Sequence, residues 1–303
     1  MSEERDPMGP LAFAWFRIGL GLYLVLRFVG LIPYAREVFS RDGTVPNAEL
    51  NFTAGILPNP LDHWDQPWQV QAFLGGLALL SLLFAAGVQR RVIAVLLAYG
   101  AACLFNRNNL ISNPSLPYVG SLLLLSATVP RGEPLALQEA PEGRWFCPRW
   151  TVRAAWILLA LGYTFSGLDK VMTCPSWRSG EALRFVLELP LARPGGLRDL
   201  LLGLPPASLK VLTWGALAVE ICFLPLCVWA RSRPWAWLAA TLLQLGILAT
   251  LGFAELTCGM LLVHWFAFDP AWVGSLRSTW QTWVSPQSPR MNHTFWIRSS
   301  PTS

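Results

Sequence analysis

Only two of the 23 basic residues are lysines, Lys170 and Lys210. Lys170 closes an apolar run, Gly162-Tyr163-Thr164-Phe165-Ser166-Gly167-Leu168-Asp169-Lys170. On a helix, positions 163, 166/167 and 170 share one face, which gives a stripe of phenol, hydroxyl, glycine gap and amine. Gly167 would let another helix or a flat ligand come close. An amine held in an apolar pocket is costly to protonate and can serve as a base. Asp169 complicates this, because a pair with Lys170 would keep the amine charged. The plain alternative is a lysine near a helix end whose ammonium snorkels to water, and on the residues alone that alternative has the edge.

Two other groups could carry chemistry. Asn106-Arg107-Asn108-Asn109 and Ser112-Asn113-Pro114-Ser115-Leu116-Pro117-Tyr118 supply neutral donors and acceptors suited to a quinone carbonyl, a phenolate or a carboxylate. The competing reading is an ordinary polar loop with Asn and Pro turn chemistry, and taken alone it prevails. Arg17, Arg27, Glu220 and His264 lie in apolar runs. Counting along the helices puts Arg17 and Glu220 at similar depth, where they could pair as structural buried charges; His264 is expected to pack. No Ser/His/Asp, HExxH, Walker or GxGxxG arrangement occurs, no metal-ligand spacing either, and Asn51-Phe52-Thr53 reads as a glycosylation sequon. A disulfide between Cys174 and Cys258 is open but not forced.

These residues must be positioned by apolar helices. The chain has 303 residues, 53% hydrophobic and 14% charged, with mean hydropathy +0.42, whereas soluble domains carry about 25% charged residues. Lipid therefore replaces water around much of the surface. The net charge of +5 does not indicate nucleic acid, because the arginines are scattered in ones and twos between apolar runs. Those runs cover approximately 11–32, 70–88, 91–106, 116–129, 153–171, 208–229, 235–251 and 254–268. They predict an all-α polytopic transmembrane bundle of about eight helices. The long loops 33–69 and 172–207 would carry interfacial helices; the second contains Trp177 and an amphipathic stretch, Glu181 to Leu189. Residues 1–284 read as one membrane domain and 285–303 as a polar, disordered tail. The tight basic hairpins Gln89-Arg90-Arg91 and Arg231-Ser232-Arg233, with the Arg-rich loop 130–152, set both termini on the cytoplasmic side. The Asn-rich segment and Lys170 then face outward.

Four blocks of the chain resemble the HTTM (horizontally transferred transmembrane) domain family, which includes the membrane portion of vitamin K-dependent gamma-carboxylase. They are Phe16-Arg17-Ile18-Gly19-Leu20-Gly21; Asn113-x-Ser115-x-x-Tyr118; Tyr163 through Lys170 followed by Trp177-x-x-Gly180; and Glu220 through Arg231 to Phe266-x-x-Asp269-Pro270. The resemblance implies an outward-facing site in which Lys170 is the base that deprotonates a reduced, vitamin K-like quinone. Tyr163, Ser166, Asp169, Asn109, Asn113 and Tyr118 would then position the ligand and Trp177 would cap it. Three departures limit this: Asp169 replaces the first lysine of the family's pair, Asn113-Pro114 replaces an Asn-His step, and no large lumenal domain follows the last apolar run. The expectation is a bacterial inner-membrane protein that handles a quinone or another lipid-soluble ring compound without carboxylating proteins. The alternatives are a non-catalytic binding, immunity or assembly protein, or a DoxX-like quinone/thiol redox partner using Cys174.

Overall fold

The computed structural model describes residues 8–47, 49, 51–111, 113–138 and 145–272. The expectations for Ser112 and for the tail 285–303 fall outside these residues. One compact unit spans Met1–Phe268, and Asp269–Ser303 forms a second. Everything below concerns the first.

Its helices are α1 (Pro10–Leu31), continued through a 3-10 turn (Ile32–Tyr34) into α2 (Ala35–Phe39); α3 (Pro67–Ala85), α4 (Arg90–Arg107), α5 (Leu116–Thr128), α6 (Arg149–Thr173), α7 (Pro175–Ser179), α8 (Ala182–Glu188), α9 (Gly196–Leu202), α10 (Pro206–Val228), α11 (Arg233–Thr250) and α12 (Ala254–Ala267). A second 3-10 turn covers Pro60–Asp62. Six of the α-helices open with proline in the first two positions, where a missing N–H costs nothing. Among the described residues there is no strand, only an isolated bridge between Ala192 and Leu251.

Every apolar run is helical, but the helices number more than eight. With Pro10–Phe39 taken as one continuous segment, α7, α8 and α9 bring the total to eleven among the described residues. Four helical segments are long and apolar enough to cross a membrane: Pro10–Phe39, α3, α6 and α10. The others fall short for visible reasons. Arg90, Arg91 and Arg107 lie in α4 and Arg233 and Gln244 in α11. Helices α5 and α12 have 13 and 14 residues, against about 20 for a bilayer core.

Two groups of helices share a common member. In one, α1 packs on α3, α3 on α4 and α4 on α5; in the other, α6 packs on α10 and α10 on α11. Helix α12 touches α1, α5, α6 and α11 and so belongs to both. The connections 86–89, 129–138, 145–148 and 229–232, with Arg153 near the start of α6, form an arginine-rich end.

A buried clamp closes the arginine-rich end. Glu133 forms ion pairs with Arg90 Nε at 2.8 Å and with Arg17 Nε at 3.3 Å, with all three side chains at most 2% exposed. Arg17 also donates to the carbonyls of Phe84, Ala85 and Leu135, and Arg90 to those of Ser126, Val129 and Pro130. Three of these carbonyls, those of Phe84, Ala85 and Ser126, lie in the last turns of α3 and α5, where carbonyls run short of intrahelical donors. Gly87 makes room for this arrangement. Its φ of 78° is left-handed, and a Cβ there would sit 2.8 Å from an Arg17 nitrogen. The expected pairing of Arg17 with Glu220 is thus corrected: each carries a buried charge, but Arg17 is held by Glu133 and Glu220 by Lys170.

Candidate functional site

The stripe on α6 faces α10. Gly167 permits that contact, since a Cβ there would lie 2.8 Å from Ile221 Cγ1 and 2.9 Å from Glu220 Cβ. Thr164 Oγ1 accepts from the Leu224 N–H at 3.1 Å, and the Tyr163 ring rests on Phe223 with centroids 4.9 Å apart. Lys170 then reaches Glu220 and donates to both carboxylate oxygens, at 2.5 and 2.6 Å. The Lys170 side chain is 25% exposed and that of Glu220 8%. The Trp177 ring covers the ammonium, 4.7 Å from Nζ, where a cation–π contact adds to the pair.

Asp169 is not the partner of Lys170. Neighbouring residues on a helix do not face one another, and Asp169 points to the exposed side. Ser166 is half-buried and makes no side-chain hydrogen bond among the described residues.

Below Lys170 on the same face of α6, Tyr163 enters a second cluster that sequence reasoning missed. Its hydroxyl lies 2.8 Å from His264 Nε2 on α12 and accepts from Gln244 Nε2 on α11 at 2.8 Å. With the amide donating to the phenol, the network directs the Tyr163 proton to Nε2 and leaves the imidazole proton on Nδ1, which faces Thr241 Oγ1 at 3.3 Å. Gln244 Oε1 is buried and has no hydrogen-bond partner among the described residues. Thr241 and Gln244, three residues apart in an apolar helix, were the signal available in the sequence.

The Asn-rich segment divides. Asn113 Oδ1 accepts from Ser115 N–H at 2.9 Å and Ser115 Oγ at 2.5 Å, a local turn that starts α5. Its Nδ2 is buried without a partner among the described residues. Tyr118, half-buried, lays its hydroxyl against Gly162 of α6. Ser115 and the Tyr23 hydroxyl both lie against Gly259 of α12, and beside them Arg27 pairs with Glu255. Asn109 is half-buried in the α4–α5 connection and makes no side-chain hydrogen bond among the described residues.

Its neighbours serve packing instead. Asn106 donates to Thr53 O, and Asn59 donates to Cys103 O and to Asn106 Oδ1, both at 3.0 Å. Asn108 donates to Val38 O at 2.7 Å, and Arg107 to Val45 O at 2.6 Å. Asn51 is buried and its amide donates to Phe105 O and Asn106 O, so the sequon nitrogen is engaged inside the fold. Cys174 and Cys258 are not joined in a disulfide.

Three cavities lie away from Lys170. One of about 230 Å³ has Ala98, Ala101 and Gly120 in its wall together with Arg27. One of about 580 Å³ is bounded by the 46–65 loop and Arg107, and one of about 490 Å³ lies at the arginine-rich end. Among the described residues no group of three or more His, Cys, Asp or Glu could hold a metal ion. Comparison with protein-family models, with curated proteins and with solved structures finds no match.

The donor set suits a ring compound with oxygen substituents in one respect and not in another. Gln244 Oε1 is a buried acceptor for a phenolic hydroxyl, and the ammonium under Trp177 is a donor for a ring oxygen. Lys170 does not fit the role of free base, because its protons are directed to Glu220.

Proposed function

We propose that this chain is an HTTM-type membrane protein crossing the bilayer eight times, with both termini cytoplasmic and α7, α8 and α9 lying at the outer interface. It binds a quinone- or phenol-like ring compound along the polar face of α6. One observation carries the reading: Lys170, Glu220, Tyr163, Gln244 and His264 turn toward one another from four largely apolar helices. Polar groups at such depth are expensive and are retained mainly where they function. The arginine-rich connections support the orientation, since basic short loops stay on the cytoplasmic side.

With the Lys170 amine directed to both oxygens of Glu220, the role assigned to it is binding and orientation. Lys170 and Trp177 meet a ring oxygen, and Gln244 accepts from a hydroxyl. A reduced quinone, when bound, would itself supply any redox chemistry.

The same ion pair favours a second reading. It is complete without a ligand and fastens α6 to α10 across Gly167, as would suit a non-catalytic assembly or immunity protein.

Mass spectrometry of small molecules copurified with the protein separates the two. The first reading expects an aromatic ring compound on the wild type and a loss of about tenfold or more in Lys170→Ala or Gln244→Ala, the usual effect of deleting a ligand hydrogen bond to a charged or buried group. Folded wild type carrying no ring compound, or equal recovery from the variants, moves the conclusion to the second reading.

A further inference from the structure

The cavity of about 490 Å³ at the arginine-rich end lies between α6, α10 and α11. Trp156, Ile157, Leu161 and Val228 give it apolar walls, and Arg153 and Arg233 line it as well. Ile157, Leu161 and Val228 are exposed, so the apolar wall runs onto the outer surface of the helices.

The charge of this groove is unbalanced. Neither arginine has a carboxylate within ion-pair distance among the described residues. Among the described residues Arg153 makes no side-chain hydrogen bond, and Arg233 uses only Nε, donating to Cys227 O at 2.7 Å. Two guanidinium forks therefore remain open where apolar walls begin. Trp150, Trp229 and Trp235 are exposed at the same end, as indole rings are at the headgroup level of a bilayer. A free anion would satisfy the arginines but not the walls, and an uncharged lipid the walls but not the arginines.

We infer that this groove binds one anionic phospholipid of the cytoplasmic leaflet, with Arg153 and Arg233 bracketing its phosphate and an acyl chain lying along Ile157, Leu161 and Val228. Guanidinium forks match phosphate oxygens in a way a point charge does not, and basic grooves between membrane helices recognise such headgroups. The inference rests on the bilayer reading above and involves none of the residues of the Lys170 column.

The test uses delipidated full-length protein in detergent, titrated with phosphatidylglycerol, phosphatidylcholine or glycerol 3-phosphate and read by native mass spectrometry. Phosphatidylglycerol should be retained over phosphatidylcholine, and Arg153→Gln should reduce that preference about fivefold, the effect of one interfacial arginine. Among the described residues Arg153 forms no ion pair or side-chain hydrogen bond that this variant would remove; Arg233→Lys, which keeps the charge but not the fork, should lose part of the preference. Equal retention of the two lipids, an unchanged preference in Arg153→Gln, or binding of glycerol 3-phosphate as tight as that of the lipid would each overturn the proposal. Recovery of the chain from cells in a detergent-free soluble fraction would instead overturn the bilayer reading itself.

Discussion

The clamp at Glu133 and the pair at Glu220 are both built from a carboxylate and basic side chains, yet they are finished differently. At Glu133 two arginines meet one carboxylate, and their other nitrogens are taken by carbonyls of α3, of α5 and of the segment that follows α5. Nothing of the cluster reaches the surface. At Glu220 a single lysine supplies the whole counter-charge, a quarter of its side chain remains open, and an indole ring covers it. A buried cluster of ion pairs with no open side can only hold the chain together. A pair with one open side can hold the chain and still meet something else. The contrast separates a closed, structural cluster from the open pair at which binding is proposed.

The contrast can be broken most directly at Glu133. Glu133→Gln leaves two buried guanidinium groups without a counter-charge, and removing one partner of a buried pair costs about 3–5 kcal/mol. Unfolding in mixed micelles should show a loss of that size; a loss of less than about 1 kcal/mol, typical of a surface pair, would erase the distinction.

Next comes Gly167→Val, which forces a branched side chain into the α6–α10 contact. Overpacking costs about 1–3 kcal/mol, and it should draw Lys170 away from Glu220. Thermal unfolding and ligand recovery should fall together; loss of stability with ligand recovery unchanged would detach the pair from the site.

The smallest effect on stability is expected from Lys170→Met combined with Glu220→Met. Replacing both partners of a buried pair with apolar groups is often close to neutral, so the double variant should unfold within about 1 kcal/mol of the wild type while losing the bound ring compound. Glu220→Met alone should cost more than the double change, because it strands the ammonium. A double-mutant cycle measures the difference.

Helix positions were legible in the sequence because apolarity is a local property. The run read as 208–229 is α10 at Pro206–Val228, and that read as 254–268 is α12 at Ala254–Ala267. The turn at Asn113 and Ser115 was legible for the same reason. Partners across the bundle were not. Glu133 sits in a loop whose arginines drew attention, and nothing within its own segment points to Arg17 or Arg90. Arg90 reads as a topology marker beside Arg91, yet it is buried and serves the clamp. Glu220 matched Arg17 by depth, but depth along a helix does not give the direction of a side chain around it; that follows from which helix lies alongside, here α6 through Gly167. His264, expected simply to pack, is half of a hydrogen bond to Tyr163.

The asparagine seam has a consequence for how the protein is made. Asn51, Asn59, Thr53 and Pro58 all find their hydrogen-bond partners on α4, far down the chain. When the ribosome has delivered α1 and α3, the loop between them has not yet met the groups that shape it. Emergence of α4 is therefore the event that closes this loop, and a ribosome paused before Cys103 would leave it open to proteases.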